Sequence, residues 1–285
     1  MVQYDFTPWG SPITRVAGLL VAGTNEHDLV PMGTAFFGAP YLALTARHVI
    51  DEIFLRFQEC LPWEACGDLR FGLQVGHSYP GVGLLKWDVM AYGISQSIDV
   101  AALVVEPEQY LPPGFAWHLP RFDVLPPRLG SQLVSFGYPR STHRFDGAAE
   151  AKIGIDPRTA TGQVLEVHPR YRDASMLPFP CLHTNARFDP GMSGGPVFNE
   201  DGRICGVVTS NLPPVVPGEP HSSYVSLIWP ALGLGLSVDV SPSRAPTERY
   251  HLKRLADDGR MQVLDVDLVT VEAKDGSDCL VLGGL

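Results

Sequence analysis

The strongest constraint on the fold of this chain is punctuation. Its apolar residues fall in short runs, each stopped by glycine, proline or a polar turn before it is long enough to make a helix. From Ile13 to Val105 these runs read RVAGLLVAG, MGTAFFGAPYLALTA, FGLQVG and GLLKWDVMAYGI. Several alternate apolar with small or polar residues. Alternation with period two marks a strand with one face buried, whereas an amphipathic helix repeats about every 3.6 residues. GAPY, between Phe37 and Leu42, carries turn residues and predicts a hairpin. One segment departs from the pattern: ARHVIDEIFLRF, entered directly from a strand, reads as a helical turn or short helix.

A proline-rich passage from Pro107 to Pro127 contains PP twice. Proline has no N–H to give to a ladder, so this passage cannot lie inside a sheet and should connect two halves. The second half resumes with short runs, among them GSQLVSFGYP, AKIGIDPRTATGQVLEVHP and GGPVFNEDGRICGVVTSN. NEDG (Asn199 to Gly202) has explicit turn chemistry and should join the strand holding Val197 to that holding Ile204 to Val208. SSYVSLIWPALGLGL reads as a returning strand and a short terminal turn. Beyond Ser237 the character changes. APTERYHLKRLADDG carries charges at helical spacing, and RMQVLDVDLVTVEAKDGSDCLVLGG reads as a strand pair about a DG turn. The expected division is 1–122, 123–238 and a small α+β extension, 239–285. There is no internal repeat and no low-complexity tract.

With 285 residues, 45% of them hydrophobic and 18% charged, the chain is long enough to bury a real core and reads as globular rather than disordered. A formal charge of −10 with no cluster of Lys and Arg argues against a nucleic-acid partner. No stretch approaches a membrane span, so no membrane partner is expected. The first residues lack a basic segment followed by a sustained apolar core, so no cleaved signal peptide is expected. Five cysteines (Cys60, Cys66, Cys181, Cys205 and Cys279) are an odd number without metal-ligand spacing. A reducing, cytoplasmic location is the simpler reading, with a Cys60–Cys66 pair as the alternative. Neither metal nor organic cofactor is expected.

Three residues carry chemistry in a suggestive order. His48 lies in TARHV just after the strand ending Leu42 to Thr45, Asp99 opens IDVAALVV, and Ser193 sits in GMSGGP. A serine hydroxyl is a weak nucleophile at neutral pH and needs a base within hydrogen-bond reach. Histidine suits that role, because its ordinary pKa of about 6.5 makes proton transfer easy in both directions. A carboxylate before a buried strand is costly unless hydrogen-bonded, and the imidazole Nδ1–H would satisfy Asp99. Each residue alone has a plain structural reading: a packed histidine, an aspartate ending a turn, a serine among glycines. Occurring together in one chain, His48, Asp99 and Ser193 supply a base, an acid to orient it and a nucleophile.

The chain resembles the trypsin-like, chymotrypsin-fold serine peptidases, closest to their HtrA/Deg-like and bacterial intracellular branches. The resemblance rests on GTAFF (Gly33 to Phe37) before TARHV, on IDVAALVV, on LGSQLVSFGYP (Leu129 to Pro139) and on TNARFDPGMSGGPVFNEDGRICGVVTS (Thr184 to Ser210), and spans roughly Ala17 to Leu236. It implies an all-β fold of two six-stranded antiparallel barrels with the active site in their cleft. The first barrel would carry His48 and Asp99, and the second Ser193. It also implies roles: His48 as general base, Asp99 as its orienting carboxylate, Ser193 as nucleophile, and the backbone N–H groups of Gly191 and Ser193 as the oxyanion hole. Thr209, Ser210 and Asn211 would pair with an extended polypeptide substrate and form one wall of the specificity pocket. Met192 stands where the digestive enzymes have an aspartate that receives a newly freed amino terminus, so activation by clipping is not expected. Arg187 and Phe188 fall at the expected base of the specificity pocket. A buried Arg187 would select an acidic residue before the scissile bond; an outward one would not, and arginine is seldom buried unpaired.

The expected function is therefore a serine endopeptidase acting through an acyl-enzyme, intracellular and regulated. GMSGG also fits G-x-S-x-G, the nucleophile elbow of serine esterases on another fold, but that motif requires a helix after the serine and an acid and a histidine downstream. A catalytically inactive peptide-binding module on the same fold is the other alternative. The extension after Ser237 is the candidate for a regulatory contact with the barrels or with a partner protein. The plainer reading is that its helix and hairpin cover an exposed sheet edge.

Overall fold

The computed structural model describes residues 5–6, 11–24, 29–57, 70–79, 82–144, 152–212, 221–274 and 277–283. A short strand β1 (Asp5–Phe6) precedes the first barrel, whose strands are β2 (Ala17–Gly23), β3 (Val30–Ala39), β4 (Leu42–Thr45), β5 (Arg70–Tyr79), β6 (Val82–Gly93) and β7 (Ala101–Pro107). They close in the order β2-β3-β4-β7-β6-β5, and every pairing is antiparallel. The hairpin expected at GAPY joins β3 to β4, with Tyr41 in the left-handed region (φ 61°). Between β4 and β5 the chain makes one helix, α1 (Arg47–Phe57), whose Val49, Ile50 and Ile53 turn inward at helical spacing.

The proline-rich passage connects the two barrels but is not wholly outside the sheets, since Pro107 ends β7 and Phe122–Asp123 pairs with two strands; the stretch between them is held by aromatic packing. Phe115 and Trp117 meet at 5.2 Å between ring centroids, and Trp117 packs edge-on against Phe37 and Tyr41, each at 5.2 Å. Such tilted and edge-to-face pairs suit the ring quadrupoles and fix a segment that has no ladder of its own.

After β8 (Phe122–Asp123) come β9 (Gln132–Gly137), a hairpin of β10 (Thr142–Arg144) and β11 (Lys152–Gly154), then β12 (Arg158–His168), β13 (Cys181–Thr184), β14 (Pro196–Phe198), β15 (Ile204–Leu212) and β16 (Ser222–Leu227). Strands β14, β9, β12, β13, β16 and β15 form the second ring, closed by the β14–β15 pairing. All six of these pairings are antiparallel. Asn199 and Gly202 form the turn between β14 and β15: the Gly202 N–H donates to Asn199 O, and Gly202 sits at φ 70°. The fold is thus the expected pair of six-stranded barrels.

The extension departs from its expectation in one respect. Strand β17 (Gly235–Val238) pairs with β18 (Pro246–His251), so the first half of the segment read as helical is extended, and the helix α2 is only Leu252–Asp257. Charges at helical spacing are a weak signal when the backbone can instead pair with a neighbouring strand. Strand β19 (Val263–Leu264) then runs parallel to β8 and lengthens the second sheet, while β20 (Val269–Lys274) and β21 (Ser277–Leu282) form the closing hairpin. Leu252, Leu255 and Met261 are buried in the main core. The predicted DG turn, Asp275 and Gly276, and the Cys60–Cys66 question lie outside the described residues. Among the described residues no helix is long and apolar enough to cross a membrane.

The barrels meet through buried polar contacts as well as apolar ones. Tyr138, just after β9, is 1% exposed and donates its hydroxyl to the Ala17 carbonyl of β2 across the interface at 2.8 Å. Burial pushes its pKa well above the ordinary value, so the phenol stays a donor throughout the working pH range. Replacing Tyr138 with Phe should lower the unfolding free energy by about 1–2 kcal/mol, measured by urea denaturation. An unchanged midpoint and slope would mean that this bond adds nothing to the barrel interface.

Candidate active site

The first half of the site is built where β4 runs into α1. The first N–H groups of any helix lack internal partners. Here Asp99, from the turn between β6 and β7, supplies one: its Oδ1 accepts the His48 backbone N–H at 2.9 Å, while its Oδ2 lies 2.9 Å from His48 Nδ1. A carboxylate only accepts, so Nδ1 carries the proton and, in the neutral ring, Nε2 is the free base. Asp99 is 6% exposed, and these two bonds satisfy a charge that would otherwise be costly to bury. Arg47 ties the same parts together. Its Nε donates to Asp51 one helical turn on (3.1 Å), and its Nη1 donates to the Ser95 carbonyl in the Asp99 loop (3.2 Å).

Burial by itself lowers the pKa of His48. The hydrogen bond to Asp99 and the charges of Asp99, Glu52 and Asp51 oppose that and prevail, so the imidazolium is held above its ordinary 6.5. The sign for stability follows: the folded protein binds this proton more tightly than the unfolded chain. The pair's contribution is therefore full below about pH 6.5 and is lost as pH climbs through the raised value.

The second half is the loop from Asp189 to Pro196. Gly191 (φ 97°) and Gly194 (φ 83°) lie in the left-handed region, where a side chain is strained. A Cβ on Gly191 would fall 2.6 Å from Tyr138 O, and one on Gly194 would fall 2.2 Å from both Thr34 O and Thr45 Oγ1. Three N–H groups of the loop are committed: Met192 to Asp189 O, Gly194 to Val208 O and Gly195 to Met192 O. Among the described residues the N–H groups of Gly191 and Ser193 have no acceptor. Two unsatisfied donors, separated by the fully buried Met192, flank the serine.

Thr34 of β3 joins the two halves. It is completely buried. Its N–H donates to Ser193 O (2.9 Å), its hydroxyl donates to Gly191 O (2.8 Å), and its own carbonyl accepts the Thr45 hydroxyl (2.7 Å). Tyr138 N–H in turn donates to Thr34 Oγ1 (3.2 Å).

His48, Gly191 and Ser193 line one cavity of about 360 Å³, together with Gly33, Glu52 and Tyr138. His48 and Asp99 also line a second, of about 420 Å³, with Thr209 and Ser210. Ser193 and His48 are not hydrogen-bonded to each other; such bonds commonly tighten only when substrate is bound. Asn211 and Arg187 line neither cavity. Asn211 Oδ1 accepts the Ser223 hydroxyl at 3.0 Å and lies 3.0 Å from His221 Nδ1. The Arg187 side chain is 37% exposed and pairs with Asp189 at 2.8 Å. Thus His48, Asp99, Ser193, Gly191, Thr209 and Ser210 gather about the cleft. The chain after Ser193 enters strand β14, not a helix, so the esterase elbow does not describe it. Among the described residues no group of three or more His, Cys, Asp or Glu side chains is placed to hold a metal ion.

The family model described as "Trypsin-like peptidase domain" matches residues 33–207, more than half of the chain, and takes in all three of these residues. The chain belongs to the trypsin-like peptidases. The solved structure of Deg5 resembles this trypsin-like peptidase with a TM-score of 0.50 at 16% identity, over 75% of this chain and 84% of that one. The active form of Rv3671c protease from M. tuberculosis gives 0.46 at 17% identity, over 82% and 87%. The MamO protease domain from Magnetospirillum magneticum gives 0.47 at 14%, over 76% and 94%. No curated protein sequence matches the chain.

Thr34, Thr45 and Arg47 lie inside GTAFF and TARHV, but those motifs alone give them no task. The available signal was a threonine in an otherwise apolar strand, whose hydroxyl must find an acceptor once buried. Two outcomes follow. By NMR, the His48 ring should titrate above 6.5, and in Asp99→Asn it should titrate below its wild-type value; no downward shift would mean that Asp99 does not hold the proton. Thr34→Val should cost about 1–3 kcal/mol of unfolding free energy, read by denaturant titration, because it strands the Gly191 carbonyl.

Proposed function

We propose that this trypsin-like peptidase is an active serine endopeptidase with Ser193 as nucleophile, His48 as base and Asp99 as the group that orients and charges the base. The observation that carries the reading is the pairing of a doubly bonded His48–Asp99 unit with a serine that shares its cavity and is flanked by two unused N–H donors.

In this scheme a peptide carbonyl sits with its oxygen toward the Gly191 and Ser193 N–H groups. Ser193 Oγ attacks the carbon and its proton passes to His48 Nε2. The carbonyl π pair moves onto oxygen, giving a tetrahedral oxyanion that the two N–H groups stabilise. As the oxyanion collapses, the C–N bond breaks and the leaving amine takes the proton from His48. Water then enters, gives a proton to His48 and attacks the ester. Collapse of the second intermediate returns that proton to Ser193 Oγ and releases the new carboxyl terminus. Asp99 stays ionised and stabilises the imidazolium in both steps. Oriented donors need no reorganisation as charge develops, and one such donor is worth about 3–4 kcal/mol elsewhere.

The extended strand after Val208 supports a polypeptide substrate. Beyond its pairing with β14, the outer edge of β15 carries no strand among the described residues, so Thr209 to Leu212 present free backbone groups to an added chain.

The test is covalent labelling with a fluorophosphonate. Intact protein should be labelled at Ser193, and Ser193→Ala should lose labelling along with a factor of at least about 10⁴ in peptide hydrolysis. Folded wild type that neither labels nor cleaves would remove the reading. Hydrolysis should also rise with pH through the raised His48 value.

A further inference from the structure

The turn that carries Asp99 divides two cavities. On one side, Gln96 and Asp99 line the cleft that also holds His48. On the other, Ser95, Ser97 and Ile98 line a separate cavity of about 280 Å³. The segment before β13 is split in the same way, with Leu177 and Phe179 toward the cleft and Pro180 toward the separate cavity. The two cavities therefore share one partition, and Asp99 belongs to it.

The far wall of the separate cavity comes from the end of the second barrel and from the extension. Trp229 and Pro230 form part of it, with His251 just before α2 and Val271 and Leu280 from the closing hairpin. Val271 and Leu280 are cross-strand partners, and so are Val269 and Leu282, two residues away. With a side-chain period of two, all four share one face of the hairpin. Val269 and Leu282 are sealed into the protein at 0% and 6% exposure, whereas Val271 is 43% exposed. The apolar stripe thus runs out of the core and onto the cavity. Exposed apolar surface bordering a recess marks a place that another apolar group covers.

The walls set the chemistry of that group. None of the residues that line the cavity is Asp, Glu, Lys or Arg, so a charged ligand would be buried without a counter-ion. The Trp229 indole and the rings of Pro180 and Pro230 are flat surfaces that suit an aromatic occupant. The volume lies just below the range of about 300–1,000 Å³ usual for small-molecule sites, which favours a single ring. Polar groups are few. The Ser95 and Ser97 hydroxyls stand 2.8 Å apart, and the buried Trp229 indole N–H has no acceptor among the described residues. A ring hydroxyl, which both donates and accepts, matches such a mixture.

The turn is built to respond as a unit. Ser97 N–H donates to Ser95 Oγ (3.3 Å), and the Ser95 carbonyl accepts Arg47 Nη1 (3.2 Å), so the turn is tied to itself and to α1. Ile98, 6% exposed, immediately precedes Asp99. A ring in the cavity packs behind Ile98 best while the turn keeps the position from which Asp99 bonds His48. A ligand shifts a conformational equilibrium only through a difference of this kind.

We infer that this cavity is an effector site for a neutral, single-ring aromatic molecule bearing a hydroxyl, and that its occupation raises peptidase activity by holding the Asp99 turn in place. The effect on activity rests on the endopeptidase reading above; the binding does not. Phenol is the probe, with benzoate as its charged counterpart, and both are added to the full chain. Calorimetry should show saturable binding of phenol and at least about tenfold weaker binding of benzoate. Val271→Trp, which fills the cavity from the hairpin, should weaken phenol binding at least about tenfold. Saturating phenol should raise kcat/KM for peptide hydrolysis at least about fivefold, and Val271→Trp should show that rise without phenol. By NMR, phenol should move the His48 ring signals of wild type and leave those of Val271→Trp in place. Circular dichroism confirms the fold; if Val271→Trp does not fold, Ser97→Phe fills the cavity from the opposite wall and replaces it. Absence of saturable binding, or equal phenol binding by the folded, filled variant, overturns the site. Equal binding of benzoate overturns the neutral ligand class. Binding that the filled variant loses, but that changes neither hydrolysis nor the His48 signals, overturns the coupling to Asp99. Binding that moves the His48 signals of a wild type that neither labels nor cleaves overturns the peptidase reading and keeps the effector site.

Discussion

The site depends on one buried threonine. Thr34 belongs to the first barrel, but its N–H and hydroxyl both end on carbonyls of the loop that carries Ser193, and its own carbonyl is fixed by Thr45 at the end of β4. Two residues beyond Thr45, α1 begins and presents His48. The path from Ser193 to His48 therefore runs through a few short hydrogen bonds in a dry interface, where each is stronger than in water and where an unmade one is costly. Two barrels that met through apolar contacts alone would slide over many near-equivalent positions. Directional bonds select one. The close approach that they require is also why Gly194 has no room for a side chain.

Within this frame the electrostatics are local. Asp99 is a nearly buried anion, and the fold devotes the start of α1 and the ring of His48 to satisfying it. Desolvation, which would leave His48 a poor proton holder, is outweighed by that anion and by Glu52 and Asp51. Burial acts in the opposite sense on the thiols, raising Cys181 to about 11 and Cys205 to about 12, so these two are packing groups and not nucleophiles. In the loop that carries Ser193, the N–H groups of Met192, Gly194 and Gly195 are committed to carbonyls, and those of Gly191 and Ser193 are not.

Much of this was legible in the sequence because the governing patterns are local. Short alternating runs set the strands, the prolines set the connection between Pro107 and Phe122, and NEDG set the β14–β15 turn. The site residues His48, Asp99 and Ser193 were named from their order and from the motifs around them. What escaped depends on contacts between distant segments. Nothing within GTAFF announces that Thr34 will meet Gly191, 157 residues away. The extension departs from its sequence pattern for the same reason: Pro246 to His251 takes its conformation from Gly235 to Val238 and not from its own charge spacing. Arg187 shows the limit in another way, since its direction is decided by Asp189, two residues on, whose carboxylate competes with any pocket for the guanidinium.

The most direct test of the proposed chemistry is a crystal structure of the full chain after reaction with a fluorophosphonate. The account predicts phosphorus bonded to Ser193 Oγ, with one phosphoryl oxygen within about 2.7–3.1 Å of both the Gly191 and Ser193 N–H groups and Thr34 still bonded to Gly191 O. Phosphorus on another residue, or a phosphoryl oxygen turned away from that pair of donors, would contradict it.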